Sequence, residues 1–481
     1  MGLDAQIGVA VREFEVRLRA ATAALAAARD AASFCAAERS VHGLSGAFAD
    51  EIVGTVLRHM AMDGERTRQT VAALRSTAPT FELKLQGVRS TPVRLLGGTE
   101  VSVPSQYLYA RPTRPTKTAR GKAGTGVFPV LDQLGIRERS TPALRLRVAH
   151  VVAEASSVTS AREVLEQNGL NIDHKRSLRL TYAVSDLAVK VREREVAATA
   201  TGNDDGEFVG RRVAVCIDGG RVQIRKALRG GPKKGGRRPF ELEWREPKVL
   251  TIYALDDTGR RDKGTRAVID ATMGDADASM RLLLYHLRRL GVHKAEHVAF
   301  LGDGAPWIWR RTSQIRVALG LEPSQFTEIT DYFHLVERLY KFARSRPGWT
   351  ESRAVAWTQR TKRRLKAGQI EHIEKAIERQ LTRDEQKDGV EMDFWSRNRD
   401  RMRFKRFREQ GLPNGSGAVE SAVRRVLNLR MKGPGIAWKE EHAEGMLLLR
   451  SHSKAGRWAE VERVELQNGG WMPTRRVRRL K

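Results

Sequence analysis

The sequence predicts a multidomain α/β protein, with helical N-terminal domains preceding a mixed sheet that carries an all-helical insertion late in the chain. Three observations predict it. Short runs rich in Val, Ala and Ile, in VAVCIDGGRV and VAFLGDGAPWIW, read as buried strands that end at Asp218 and Asp303. A third acid, Glu420, stands just inside a helix opened by the Gly/Ser turn of GLPNGSGAVESAVRRV. A length of 481 residues, 41% of them hydrophobic, suggests two to four domains with real cores.

Residues 1–76 form a helical region: positions 5–57 show helical spacing in an Ala-, Arg- and Glu-rich composition, which predicts two or three helices used for packing or dimerisation. Residues 77–139 shift to Pro, Gly, Thr and basic residues. Short alternations such as VRLLGG and EVSVPSQYLYA predict a β-rich segment, and the basic loop ARPTRPTKTARGKAGTG reads as ordered only on a partner. Residues 140–203 predict three helices, over 143–155, 160–167 and 174–191. A short second helix between two longer ones fits a helix-turn-helix, in which Lys175, Arg176, Arg179 and Thr181 would approach base edges or phosphates. A plain three-helix spacer has the same pattern.

Residues 204–206 read as a linker, and the first part of the sheet domain spans 204–345. Residues 212–218 and 222–227 predict a hairpin bent at Gly219 and Gly220; the basic loop RGGPKKGGRR leads to a third strand over 248–255. A helix over 276–290, a strand over 297–301 ending at Asp303, and a short strand over 326–330 ending at Asp331 follow, the last running into a helix through His334. Strand, strand, strand, helix, strand, helix, strand is the order of a ribonuclease-H-like mixed sheet, in which the first and fourth strands lie side by side. That would bring Asp218 and Asp303 to common metal ions. Residues 346–411 are wholly helical in pattern and too long for a loop within a sheet domain, so they predict a helical insertion with Trp357 and Trp395 as its main aromatics. Residues 412–460 complete the sheet domain, and 461–481 form a basic tail ending in TRRVRRLK that adds nonspecific affinity.

With 86 Lys+Arg against 57 Asp+Glu and a formal charge of +29, the chain calls for a polyanion. Nucleic acid is favoured over membrane, because no apolar stretch approaches the ~20 residues of a spanning helix. The N-terminal residues alternate charged and apolar positions and show no signal peptide, which predicts a cytoplasmic protein. Two cysteines, Cys35 and Cys216, exclude a disulfide framework and leave no CxxC, so both read as small buried hydrophobes in a reducing compartment.

In so basic a chain, a carboxylate cluster reads as a site for divalent cations acting on a phosphate polyanion. Two Mg²⁺ (or Mn²⁺) ions about 3.5–4 Å apart, held by Asp218, Asp303 and Glu420, would activate an attacking oxygen and stabilise the leaving one in an in-line displacement at phosphorus. That chemistry is nucleic-acid strand cleavage or joining. No Ser, Tyr or Cys constellation suits a covalent nucleophile. Each acid has a plainer reading: Asp218 and Asp303 as strand-end turn residues, Glu420 as an ion-pair partner of Arg424. Arg430, Lys432 and Arg450 offer phosphate contacts or solvated helix faces, and Trp395 a stacking surface for an unpaired base or an anchor of local packing.

The string GLPNGSGAVESAVRRVLNLRMKGPGIAWKEEHAEGMLLLR, together with VCIDGGRV, FLGDGAPWIW and ITDYFHLVERLY, resembles the transposases of bacterial ISKra-type insertion sequences, which are similar to the Mutator-like DDE enzymes. The resemblance is continuous over roughly the C-terminal half. It implies that Asp218, Asp303 and Glu420 are the DDE triad and that Asp331 and His334 occupy an Asp-x-x-His signature. Asp331 and His334 could serve as a hydrogen-bonded structural pair, as DNA contacts or as an added metal ligand. The resemblance implies strand cleavage and transfer at the inverted-repeat ends of an insertion sequence, with double-stranded DNA as partner, assembly as a homo-oligomer on that DNA, and a place on the bacterial nucleoid. Relatives often carry cysteines in a zinc-knuckle-like segment before the helical DNA-binding unit, whereas YLYARPTRPTKTARGKAG has none. The alternatives are a catalytically silent DNA-binding protein derived from a transposase and a ribonuclease-H-like structure-specific nuclease.

Overall fold

The structure, a computed structural model, describes residues 2–78, 81–112, 125–228, 239–468 and 470. The chain separates into two compact units, residues 1–188 with 461–481 and residues 189–460. Most of the loop ARPTRPTKTARGKAGTG, the loop RGGPKKGGRR and the tail TRRVRRLK lie outside the described residues.

The first unit begins with three helices, α1 (Leu3–Ala26), α2 (Ala31–Met62) and α3 (Gly64–Thr77). Asp30 caps α2 by accepting from the Ser33 N–H, and Phe14 of α1 stacks on Phe48 of α2 at 4.2 Å between centroids. Strands β1 (Phe81–Arg94), β2 (Glu100–Pro112) and β3 (Thr125–Val127) form an antiparallel sheet in sequence order. Buried Asp50 of α2 accepts from the N–H groups of Gly97 and Thr99, which pins the β1–β2 turn to the helix. A one-turn helix α4 (Pro129–Gln133) leads to α5 (Pro142–Glu154), α6 (Val158–Gln167) and α7 (His174–Ala198). Thr141 and Ser157 cap α5 and α6, and Leu144, Val148, Ala161, Leu165, Leu180 and Val184 are buried among these helices.

The second unit is built on β4 (Arg212–Gly219), β5 (Val222–Ala227), β6 (Phe240–Arg245), β7 (Lys248–Ala254), β8 (Val268–Thr272), α8 (Ala276–Arg289), β9 (His297–Gly302), α9 (Pro306–Ala318) and β10 (Phe326–Thr330). Five of these strands make one mixed sheet in the order β10-β9-β4-β7-β8. Strands β4, β9 and β10 are mutually parallel, whereas β7 and β8 run antiparallel to their neighbours. Val213, Val215, Ile217, Ile252, Val298 and Phe300 share one core with Leu283 and Leu287 of α8 and Ile315 of α9. Side chains alternate across a strand, so Cys216 and Asp218 face the other way.

Helices α10 (Tyr332–Arg344), α11 (Glu351–Lys366), α12 (Ile370–Glu378), α13 (Arg383–Asp388), α14 (Val390–Arg397) and α15 (Phe404–Glu409) follow, so the region expected as a helical insertion contains no strand among its described residues. The chain then returns to the sheet through α16 (Gly417–Ala422), a π-helical stretch (Val423–Asn428) and α17 (Leu429–Met431), and continues into α18 (Glu440–Lys454) and α19 (Trp458–Gln467). Helix α16 lies against β4 and β7, and α18 against β8.

Three expectations need correction. Residues 212–218 and 222–227 do not pair: β4 pairs with β7, and β5 leaves the sheet to pair with β6 in a separate two-stranded ribbon. The third antiparallel strand of the main sheet is β8, which the sequence reading did not contain. Residues 204–206 are not a free linker, because Asn203 N–H donates to Arg288 O (2.9 Å) and Phe208 N–H to Leu290 O (2.8 Å). Gly206 is packed so tightly that a Cβ would stand 2.3 Å from the backbone of Leu290 and Gly291.

Candidate active site

Three aspartates stand at the carboxyl ends of three neighbouring parallel strands. The strand register pairs Cys216 with Leu301 and Gly302 with Thr330. Continuing it by one or two residues sets Asp218, Asp303 and Asp331 side by side, and the Asp331 N–H donates to Gly302 O at 2.8 Å. By strand alternation all three point to the face on which α16 lies. Asp218 Oδ1 accepts from Gly219 N–H (2.7 Å), and Asp303 Oδ1 accepts from Ala305 N–H (2.8 Å), closing the turn at Gly304, whose φ of +94° favours glycine.

Glu420 reaches this strand end because Asp331 holds the turn before it. Asp331 is fully buried and caps α10, accepting from His334 N–H (2.8 Å), while its second oxygen accepts from Ser416 Oγ (2.7 Å) and the Ser416 N–H. Tyr332 N–H donates to Asn414 O (3.1 Å), and a Cβ on Gly415 would meet the Phe333 ring at 2.8 Å, so a glycine is needed there. Glu420 sits one turn beyond Ser416, with its side chain 46% exposed. The π-helical stretch that follows is an irregularity common at functional sites.

His334 lies between the acids. Its Nδ1 is 3.2 Å from Asp331 Oδ1 and 3.9 Å from Glu420 Oε1. Contact with Asp331 raises the imidazole pKa to about 9 against the effect of burial, with Asp218 and Asp303 adding to the rise. Burial raises the Asp218 pKa, and Asp303 and Asp331 add to the rise against the Gly219 N–H and His334. Burial likewise raises Glu420, reinforced by Asp331 and Asp218 and opposed by His334. For Asp331 burial opposes ionisation, but the hydrogen bonds from His334 and Ser416 outweigh it and its pKa falls.

Donor atoms of Asp331, His334 and Glu420 lie within 4.8 Å of one another, a spacing compatible with a cation. Asp331, however, already accepts from three donors, so its oxygens are committed to holding the α16 turn. The carboxylates with acceptor capacity to spare are Asp218, Asp303 and Glu420. Their carboxylate oxygens are the donor type that Mg²⁺ and Mn²⁺ take. Glu420 approaches His334, not Arg424 as its plainer reading had it.

The residues expected to touch DNA differ in exposure. Lys175 is exposed on the first turn of α7. Arg176 donates to Arg139 O (2.9 Å) and lies 3.7 Å from Glu100, and Arg179 is 3.3 Å from Glu138. Thr181 is fully buried and bonds Ser177 O (2.8 Å), so it is a packing residue of α7 and cannot read bases. Trp395 is also fully buried, with its Nε1–H on Glu391 (2.8 Å); the ring has no free face for a base and anchors the helical insertion instead. Arg430 is buried with its guanidinium 5.2 Å from the Trp438 ring centroid, and buried Arg450 donates to Val426 O (2.6 Å), so both brace helices from within. Lys432 is exposed. Among the described residues no helix is long and apolar enough to cross a membrane. Cys35 and Cys216 are both free, and burial pushes the Cys216 thiol up to about 12. Neither protein-family models, nor curated proteins, nor solved structures provide a match to this chain.

Proposed function

We propose that this chain is a DDE transposase that cleaves DNA at the ends of an insertion sequence and joins the freed 3′ ends to target DNA. The observation that carries the reading is the gathering of Asp218, Asp303 and Glu420 at the carboxyl ends of the sheet's parallel strands, with His334 as the basic side chain beside them. In a chain of charge +29, acids that share one histidine in place of Lys or Arg partners are suited to divalent ions. The sheet order supports a ribonuclease-H-like reading: three antiparallel strands in succession, then two parallel strands on the far side of the first.

In this reading Asp218, Asp303 and Glu420 hold two Mg²⁺ or Mn²⁺ ions. When bound, such ions stabilise charge on the attacking and leaving oxygens of an in-line displacement. Asp331 positions Glu420 through Ser416, and His334 stands between Asp331 and Glu420. Water cleaves the phosphodiester at the element end, and the resulting 3′-hydroxyl attacks a target phosphodiester. The partner is double-stranded DNA, engaged by a homo-oligomer assembled on the two ends.

The test uses duplexes bearing the inverted repeats that flank the gene. The parent protein with Mg²⁺ should nick and join them. Asp218→Asn, Asp303→Asn and Glu420→Gln should each lower that activity by at least ~10³-fold, about 4 kcal/mol of barrier, while duplex affinity stays within about twofold. Cleavage that survives in all three variants would refute the assignment.

A further inference from the structure

The ribbon β5–β6 departs from the sheet immediately after Asp218 and is rooted on both elements of the acidic site. At its base, Gly220 N–H donates to Pro247 O (3.1 Å), and a Cβ there would press on Leu427 and Val423 of the helix that continues from Glu420. Along its free edge, Arg225 N–H donates to Trp438 O (2.7 Å) and Trp438 N–H to Gln223 O (2.9 Å). The Arg225 guanidinium also holds Ala437 O, at 2.9 and 2.6 Å. Val222 and Ile224 are buried, so the root is fixed.

The two faces of the ribbon differ in chemistry. Register places Lys226 with Glu241 and Glu243 on one face, where Lys226 pairs with them at 3.5 and 3.9 Å. The opposite face carries Gln223, Arg225, Ala227, Phe240, Leu242 and Trp244, with no acid among them. Phe240 is 44% exposed and Leu242 and Trp244 are each 54% exposed. Single exposed apolar side chains are ordinary, but three in one row on an anchored ribbon form a presented surface. Trp244 is the one tryptophan classed as exposed among the described residues. Lys248, four positions further on, pairs with Gly219 beside Asp218. At ~3.3–3.6 Å per residue plus one strand spacing, the Trp244 backbone lies within about 20 Å of that acid, a span of a few nucleotides.

We propose that this face is a stacking platform for unpaired bases of the DNA held at the carboxylates, with Trp244 and Phe240 offering ring surface to the bases. An acid-free row of aromatic rings beside a cation is the chemistry that binds single-stranded nucleic acid without sequence preference. A protein partner would find no acids here to answer, and the chain's positive charge disfavours a second copy meeting it face to face. The proposal rests on the transposase reading for its substrate.

The experiment measures binding of the full-length chain, in EDTA, to a forked duplex with unpaired arms and to a blunt duplex of equal length. Omitting metal makes the outcome independent of the carboxylates, so failure of the platform and failure of the catalytic assignment are separable. Trp244→Ala should weaken binding to the forked DNA ~10-fold or more and leave the blunt duplex within about twofold, and Trp244→Phe should recover most of the loss. Loss on both DNAs alike, or on neither, would overturn the proposal. So would a change from oligomer to monomer in sedimentation with the preference for forked DNA intact, which would make the face a contact between copies. Phe240→Ala provides a second, milder removal from the same row, with the same expected sign.

Discussion

Two groups of acids in the second unit are treated in opposite ways. At the β8 edge every carboxylate is matched. Asp270, fully buried, takes the Arg192 guanidinium at 2.9 Å on one oxygen and His286 Nε2 at 2.8 Å on the other, while Glu444 pairs with Arg192 and accepts from the Met273 N–H. Burial opposes the Asp270 charge, but Arg192 and His286 outweigh it and its pKa falls below the usual carboxylate range. At the β4, β9 and β10 ends, burial raises the pKa values of Asp218 and Glu420, and the basic side chain that opposes the rise at both is His334. The same fold thus neutralises a set of acids around buried Asp270 and leaves a more open set short of positive charge. A stability role explains the first set; the second costs stability unless a cation arrives.

Breaking the matched group should therefore have the larger effect on folding. Arg192→Met leaves Asp270 and Glu444 without their counter-charge and should lower unfolding free energy by about 3–5 kcal/mol in urea titration. Asp218→Asn, in the same assay without divalent metal, should leave stability unchanged or raise it, because it removes one of several mutually repelling charges. A loss from Asp218→Asn as large as that from Arg192→Met would erase the contrast.

His334 belongs to both kinds of group. If it acts chiefly by holding Asp331 against the α16 turn, His334→Ala should lower unfolding free energy by about 1–3 kcal/mol and reduce strand cleavage along with it. A variant as stable as the parent but inactive would transfer His334 to direct action on DNA or metal.

The smallest effect is on pH dependence. Burial lowers the His286 pKa against the pull of Asp270. Below its ordinary value of 6.5 the unfolded chain binds a proton that the folded chain refuses, so stability falls as pH drops through that window. The slope for one proton is at most about 1.4 kcal/mol per pH unit. His286→Gln keeps a donor to Asp270 and should flatten the thermal-unfolding profile between pH 6.5 and 5 relative to the parent. Asp270, with its depressed pKa, adds a further loss of stability only below its ordinary value of 3.8.

The acids of the candidate site were legible because local sequence encodes them: each aspartate follows a continuous apolar run, and Glu420 follows a Gly/Ser turn. The strand pairing was less legible. VQIRKA directly after two glycines has the look of a hairpin return, yet β4 is buried along its length and takes the more apolar β7 as partner, leaving β5 to the amphipathic β6. VIDAT was missed because an aspartate in mid-strand argues against a buried β position. Its neutralising partner, Arg192, lies 78 residues away in sequence, beyond any local pattern. The same distance effect hid the burial of Trp395 and Arg430, whose composition suited DNA but whose neighbours in space are helices of the protein itself.

The most direct measurement is Mn²⁺ binding followed by electron paramagnetic resonance, comparing the parent chain with the combined Asp218→Asn, Asp303→Asn, Glu420→Gln variant in the absence of DNA. The unmatched acids should give the parent saturable Mn²⁺ binding that the variant lacks while its thermal unfolding stays at or above the parent's. Equal Mn²⁺ binding by the two proteins would contradict the assignment of these carboxylates as a metal centre.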